Sequence, residues 1–200
     1  MDNNNNQINN VINTEKSKFR KFFDNTWDLI KFAIIALLIV IPIRMFIAQP
    51  FVVSGESMYP TFHDGEYLIV DELSYNTGKP HRGDVIVFRY PGDTKRFFIK
   101  RVIGMPNEQI IINNGEIKII NSEFKEGFTL NEPYVKEYFD TNSTFKTKSG
   151  EYFVMGDNRN KSSDSRVWGM LPDKLIIGRA YIRLLPIKDI SYLPGAIEEK

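Results

Sequence analysis

Two side chains have types and settings suited to acyl-transfer chemistry. Ser57 sits in Ser54-Gly55-Glu56-Ser57-Met58-Tyr59-Pro60-Thr61. Glycine at 55 permits a tight backbone turn, and Pro60 biases Tyr59 toward an extended conformation. A serine on such a turn can present its hydroxyl to a carbonyl, with neighbouring backbone N–H groups facing the developing oxyanion. Read alone, the segment is an ordinary turn between strands. Lys100 lies in Phe97-Phe98-Ile99-Lys100-Arg101-Val102-Ile103. Strand alternation puts Phe98, Lys100 and Val102 on one face and Phe97, Ile99, Arg101 and Ile103 on the other. A lysine with the ordinary pKa of about 10.4 is almost wholly protonated at neutral pH. Burial lowers that pKa and makes the amine a usable base. The bland alternative is a lysine reaching to solvent from an exposed strand. A third segment, Gly156-Asp157-Asn158 through Ser162, Asp164, Ser165 and Arg166, is dense in turn formers and paired charges. It reads as a solvated loop, and it has too few acidic ligands for a calcium loop.

The other residue types narrow the chemistry. The chain has no cysteine, which excludes disulfides, thiolate metal sites and cysteine nucleophiles. Its two histidines, His63 and His81, both sit in turn-like contexts, and a Ser–His–Asp arrangement using either stays open. Two histidines make a multi-histidine metal centre improbable. Net charge is +1, from 26 basic and 25 acidic residues, so a dominant nucleic-acid surface is not expected. Arg82-Gly83-Asp84 matches an adhesion tripeptide but leads directly into a strand, and it reads as a turn.

The elements that must position these residues follow from patterning. The Asn-rich start, seven asparagines in the first 13 residues, reads as a solvated tail. Lys16, Lys18, Arg20, Lys21 and Lys31 then precede twelve uncharged residues, Phe32 to Ile43. The window 29–48 is long enough for a helix to cross a bilayer core of about 30 Å. Its two charges, Lys31 and Arg44, lie near the ends, where they can snorkel. A buried core helix and a cleaved secretory signal are the alternatives; an uncleaved anchor is the expectation. Basic residues on the amino-terminal side place residues 1–28 in the cytoplasm and 49–200 outside.

That outer portion reads as β structure. Runs rich in branched and aromatic residues recur at Tyr67–Val70, Val85–Tyr90, Arg96–Ile103, Gln109–Ile112, Ile117–Ile120, Glu151–Met155 and Leu175–Leu185, separated by turn signals. Asn113-Asn114-Gly115 between two isoleucine-rich runs predicts a hairpin. Residues from about 107 to 150 form a more variable insertion, polar and loop-rich from about 121 onward. The fold class expected is mainly β: one amino-terminal transmembrane helix, then an all-β catalytic domain with a small β insertion.

Four of these segments, in this order, resemble the bacterial type I signal peptidases in their short, single-anchor form. Gly55-Glu56-Ser57-Met58-Tyr59-Pro60-Thr61 matches the nucleophile motif of that family. Arg82-Gly83-Asp84-Val85-Ile86-Val87-Phe88 matches the following strand, Lys100-Arg101-Val102-Ile103-Gly104-Met105-Pro106 the lysine motif, and Gly156 through Arg166 the last. The resemblance covers about residues 30–190. It implies a serine–lysine dyad in which Ser57 attacks and neutral Lys100 takes and returns the proton. It implies that Ser162 orients the lysine, that Asp164 and Arg166 form a supporting charged pair, and that the Ser57 N–H is part of the oxyanion hole. Some members carry a serine two places before the nucleophile; here that position is Gly55, so a backbone N–H, with Gly55 a candidate, is expected to complete the hole. The substrates implied are exported preproteins cut after a small-X-small (Ala-X-Ala type) site, with no cofactor and no metal.

Tether length supports that substrate class. Ser57 lies nine residues past Ala48, a stretch of at most about 30 Å when extended, which holds the nucleophile near the outer membrane surface. Phe51-Val52-Val53 is the expected wall of a shallow apolar pocket beside an extended substrate strand. Three other functions stay open: a histidine-assisted serine hydrolase, a self-cleaving serine–lysine regulator, and an inert anchored binding module. The lipid bilayer is an expected partner; oligomeric state is not legible.

Overall fold

In the computed structural model the described residues are 26–40, 48–137 and 142–197. The chain divides into two compact units, Met1–Met45 and Phe46–Lys200. In the first, residues 26–40 are helical (α1), with large apolar side chains such as Leu29, Phe32 and Leu38 exposed. Among the described residues no helix is long and apolar enough to cross a membrane. The expected span, 29–48, runs through residues 41–47, which lie outside the described set, as do most of residues 1–28.

The second unit is built almost wholly of strands. In chain order these are β1 (Ala48–Val52), β2 (Tyr67–Asp71), β3 (Val85–Tyr90), β4 (Asp93–Gly104), β5 (Gln109–Asn113), β6 (Glu116–Ile120), β7 (Phe128–Thr129), β8 (Ser143–Lys146), β9 (Glu151–Met155), β10 (Leu171–Pro172), β11 (Ile176–Leu185) and β12 (Ser191–Tyr192). Two short helices interrupt them, α2 (Leu73–Thr77) and α3 (Ser165–Trp168). One sheet has the order β1-β2-β11-β3-β4-β9-β10, with β12 also on β11; the other has the order β7-β6-β5-β8.

The mainly β expectation holds, and alternation explains both sheets. In β5 and β6, Ile110, Ile112, Ile117 and Ile119 point inward and pack with Ile103, Phe153 and Met155. Their neighbours Ile111 and Lys118 are less covered. The expected hairpin forms, with Asn113 opposite Glu116 around a two-residue turn. The first sheet is covered on both faces. Val85 joins Val53, Met58, Phe62, Leu68 and Ala180 on one side; Ile86 and Phe88 join Val102, Tyr152, Val154 and Leu171 on the other. Double coverage accounts for the unbroken apolar run in β3.

Three differences from the sequence reading concern polar or short segments. The region from about 121 to 150 contains β7 and β8, short strands with little apolar alternation of their own that pair with β6 and β5. Ala48, taken as the outer end of the span, begins β1. The two short helices carry too few residues to show a helical period.

Candidate active site

Where β9 stops, the edge of β4 opens. The last pair between them is Arg101 opposite Met155, and Lys100 is the next residue along β4. There Lys100 Nζ donates to Ser57 Oγ at 2.7 Å and to the Ile99 carbonyl at 2.8 Å. Lys100 is only 4% exposed. Phe98, two residues earlier and on the same face, sets its ring 5.3 Å from Nζ. Burial pushes the Lys100 ammonium down to about 8, against the opposing pull of Asp164 and Asp157. A lysine poised near 8 exchanges its proton readily at neutral pH, and in its neutral form it accepts from the Ser57 hydroxyl.

The turn that carries Ser57 owes its shape to local bonds. Gly55 has φ +88°, a left-handed conformation that favours glycine. Its N–H donates to Asp64 Oδ1 at 2.7 Å. The Gly55 N–H, the backbone donor expected from sequence to complete an oxyanion hole, thus has an acceptor within the chain. The Ser57 N–H has no acceptor within the chain among the described residues. The turn is also held from outside: the Asn158 N–H donates to the Ser57 carbonyl at 3.1 Å, and Asn158 Nδ2 to the Glu56 carbonyl at 3.1 Å.

The loop that supplies Asn158 brings the remaining candidates to the same place. Gly156 is wedged between the Ser57 carbonyl and Ser162, so closely that a Cβ there would overlap both. Among the described residues the buried Ser162 Oγ has no hydrogen-bond partner. Lys100 makes its bonds to Ser57 and Ile99, so Ser162 stands beside the pair and is not bonded to the lysine. Asp164, fully buried, accepts from the Gly156 N–H at 3.1 Å and from Arg166 Nε and Nη2, both at 2.8 Å. The Asp164–Arg166 pair is therefore formed, and it holds the loop backbone.

Beneath the loop lies an ion pair that residue spacing did not reveal. Arg101 and Asp157 are both fully buried and bond through Nε–Oδ1 at 2.8 Å and Nη2–Oδ2 at 2.6 Å. Arg101 Nη1 also donates to the Gly83 carbonyl at 2.8 Å, and its guanidinium lies 3.9 Å from the Tyr134 ring centre. The signal available in the sequence was Arg101 on a face of apolar neighbours; its partner, 56 positions away, had none. Removing one member of such a pair leaves a charge buried and unpaired. Asp157→Asn should therefore destabilise the domain by about 3–5 kcal/mol, measured by urea unfolding.

The histidines stand apart from this centre in their contacts. His63 lies against the buried Glu66, Nδ1 to Oε1 3.2 Å, and His81 against Asp84. Both side chains are more than half exposed.

A cleft of about 530 Å³ opens onto Ser57 and Lys100. Phe51, Val52 and Val53 line it, as expected from sequence, together with Leu68, Val87 and Ile99. Its two sides carry strand edges that have no neighbour among the described residues: β1 is terminal, and β4 before Arg101 has only β3. A serine bonded to a buried lysine at the end of a strand-edged cleft can attack a carbonyl of a peptide lying extended along those edges.

Comparison with known proteins agrees. The family model described as "Signal peptidase, peptidase S26" matches residues 26–185. The chain is 38% identical to "Probable signal peptidase I-1" of Synechocystis sp. over 172 residues, covering 80% of this chain and 85% of that one. It is 36% identical to "Signal peptidase I" of Bacillus amyloliquefaciens over 185 residues, covering 88% and 94%. A solved signal peptidase I from Enterococcus faecalis overlays with TM-score 0.44 at 29% identity, covering 50% of this chain and 96% of that one. The protein belongs to the signal peptidase family S26, and it is a peptidase.

Proposed function

We propose that this protein is a membrane-anchored serine endopeptidase that removes signal peptides from exported preproteins after small-X-small sites, using Ser57 and Lys100 as a dyad. The observation that carries the reading is the 2.7 Å bond between Lys100 Nζ and Ser57 Oγ in a buried setting. Neutral Lys100 takes the hydroxyl proton as Oγ bonds to the scissile carbonyl carbon. The Ser57 N–H faces the oxyanion. Lys100 then gives the proton to the leaving amine, the C–N bond breaks, and an acyl-serine remains. Water, deprotonated by the same lysine, adds to the acyl carbon; the bond to Oγ breaks, Lys100 returns the proton to Ser57, and the signal peptide leaves with a free carboxylate. Ser162 is a second polar group for the lysine when it swings off Ser57, and its unpartnered Oγ supports that role.

Substrate class follows from the cleft. An extended chain can pair its backbone with the free edges of β1 and β4, while Val53, Leu68 and Val87 leave shallow apolar room for small side chains. The anchor is assigned to the span that starts at residue 29 and stops before β1 begins at Ala48, with 1–28 cytoplasmic and the β domain outside. The exposed apolar side chains of α1 and the relatives' common identity as signal peptidases support that layout. The test is incubation of the full chain, in detergent, with a preprotein carrying Ala-X-Ala. Sequencing of the new amino terminus should place the cut directly after the second alanine. Cleavage elsewhere, or none, would overturn the assignment.

A further inference from the structure

Glu132 lies between β7 and β8, in the polar region that gives no sequence signal of function, yet it is only 4% exposed. Arg159 grips both its oxygens, Nη1 to Oε2 at 3.0 Å and Nη2 to Oε1 at 2.5 Å. Tyr134 adds its hydroxyl to Oε1 at 2.9 Å. The guanidinium passes the restraint on: Arg159 Nε donates to the Gly156 carbonyl at 3.1 Å, and the Arg159 carbonyl accepts from Arg166 Nη2 at 2.8 Å. Gly156 is the residue wedged between Ser57 and Ser162, and Asp164 holds its N–H. The Tyr134 ring meanwhile covers Arg101. The inserted region thus closes over both arginines that underlie the loop.

We propose that Glu132 is a positioning residue for the catalytic loop. By fixing Arg159 it sets where Gly156, Ser162 and Asp164 stand against Ser57 and Lys100. The inference rests on the serine–lysine reading above. Without Glu132 the buried Arg159 needs another anion, and Asp157 already acts on it. A guanidinium drawn toward Asp157 competes with Arg101 and disturbs the loop that carries Asn158 and Ser162. It also adds uncompensated positive charge near Asp157, one of the two anions that hold the proton on Lys100. Extra positive charge favours the neutral amine.

The test compares Glu132→Gln with Glu108→Gln in the full chain, in detergent, on an Ala-X-Ala preprotein. Glu108 is similarly buried and pairs with Arg82 at 2.6 Å, at the junction of the two sheets. Turnover is expressed per folded molecule, with the folded fraction taken from near-ultraviolet circular dichroism. Glu132→Gln should lower kcat by about 10- to 100-fold with KM nearly unchanged, as expected for misplacement of reacting groups. Its acid limb should move to lower pH. Glu108→Gln should lower the melting temperature and leave kcat per folded molecule at the wild-type value. Tyr134→Phe, which removes one donor to the same carboxylate, should lower kcat in the same direction and less. Wild-type kcat and an unmoved acid limb in Glu132→Gln, or in Tyr134→Phe should Glu132→Gln not fold, would overturn the proposal. Wild-type cleavage that survives Ser57→Ala would contradict the serine–lysine reading itself, and it is seen without any change at Glu132.

Discussion

Replacing Lys100 with methionine should abolish preprotein cleavage and make the domain more stable. The loss of a positioned general base is worth about 10²–10⁴-fold in rate, and Ser57→Ala should cost at least as much because no other nucleophile takes its place. The stability gain has a separate origin. Folding depresses the lysine pKa from 10.5 to about 8, so the buried site disfavours the ammonium. Between those two values the unfolded chain holds the proton and the folded chain has released it, so stability rises with pH across that window. Below about 8 both states are protonated and the full cost is present, about 3 kcal/mol. Methionine removes that cost, and urea unfolding at pH 7 should show Lys100→Met more stable than wild type. A lysine with a purely structural role would show the opposite sign. Cleavage by the wild type should also rise with pH and level off above about 8.

Gly156→Ala is the second large effect expected. A Cβ at this position would overlap the Ser57 carbonyl oxygen and Ser162 Oγ. The serine side chain can rotate away, whereas the Ser57 carbonyl is backbone and carries the Asn158 N–H bond. The added methyl therefore pushes the nucleophile turn and the loop apart. A displacement of about 1 Å at a reacting centre costs on the order of 10²-fold. Adding Ser162→Gly to Gly156→Ala should recover little activity, because the clash with the Ser57 backbone persists. Full recovery in the double variant would place the problem at Ser162 instead, and the two changes would then be strongly non-additive.

What the sequence made legible follows from what pattern can encode. Alternating isoleucines in 109–120 and the apolar run at 85–88 gave strands with the right faces, since a two-residue period maps directly onto burial. Ser57, Lys100, Ser162, Asp164 and Arg166 were legible as members of ordered motifs, and the loop at 156–166 brings them to one place. Arg101–Asp157 and Arg159–Glu132 were not. Each joins residues far apart in the chain, 56 and 27 positions, and a single buried charge has no local period. The acceptor of the Gly55 N–H, Asp64, was not legible either, because it is set by how the turn closes on itself. The pairing of β8 escaped notice because Ser143–Lys146 is short, carries Phe145 as its one apolar residue and is recruited by the edge of β5.

The most direct measurement of the claim that a neutral amine at position 100 is the base uses the absence of cysteine from the chain. In Lys100→Cys the new thiol is unique, and alkylation with 2-bromoethylamine rebuilds an amine of nearly the same length and lower basicity. Mass spectrometry establishes that the adduct has formed. The expected result is an inactive Lys100→Cys protein that regains cleavage on alkylation, with an acid limb at lower pH than wild type. An alkylated protein that stays inactive, or one whose acid limb coincides with that of the wild type, would contradict it.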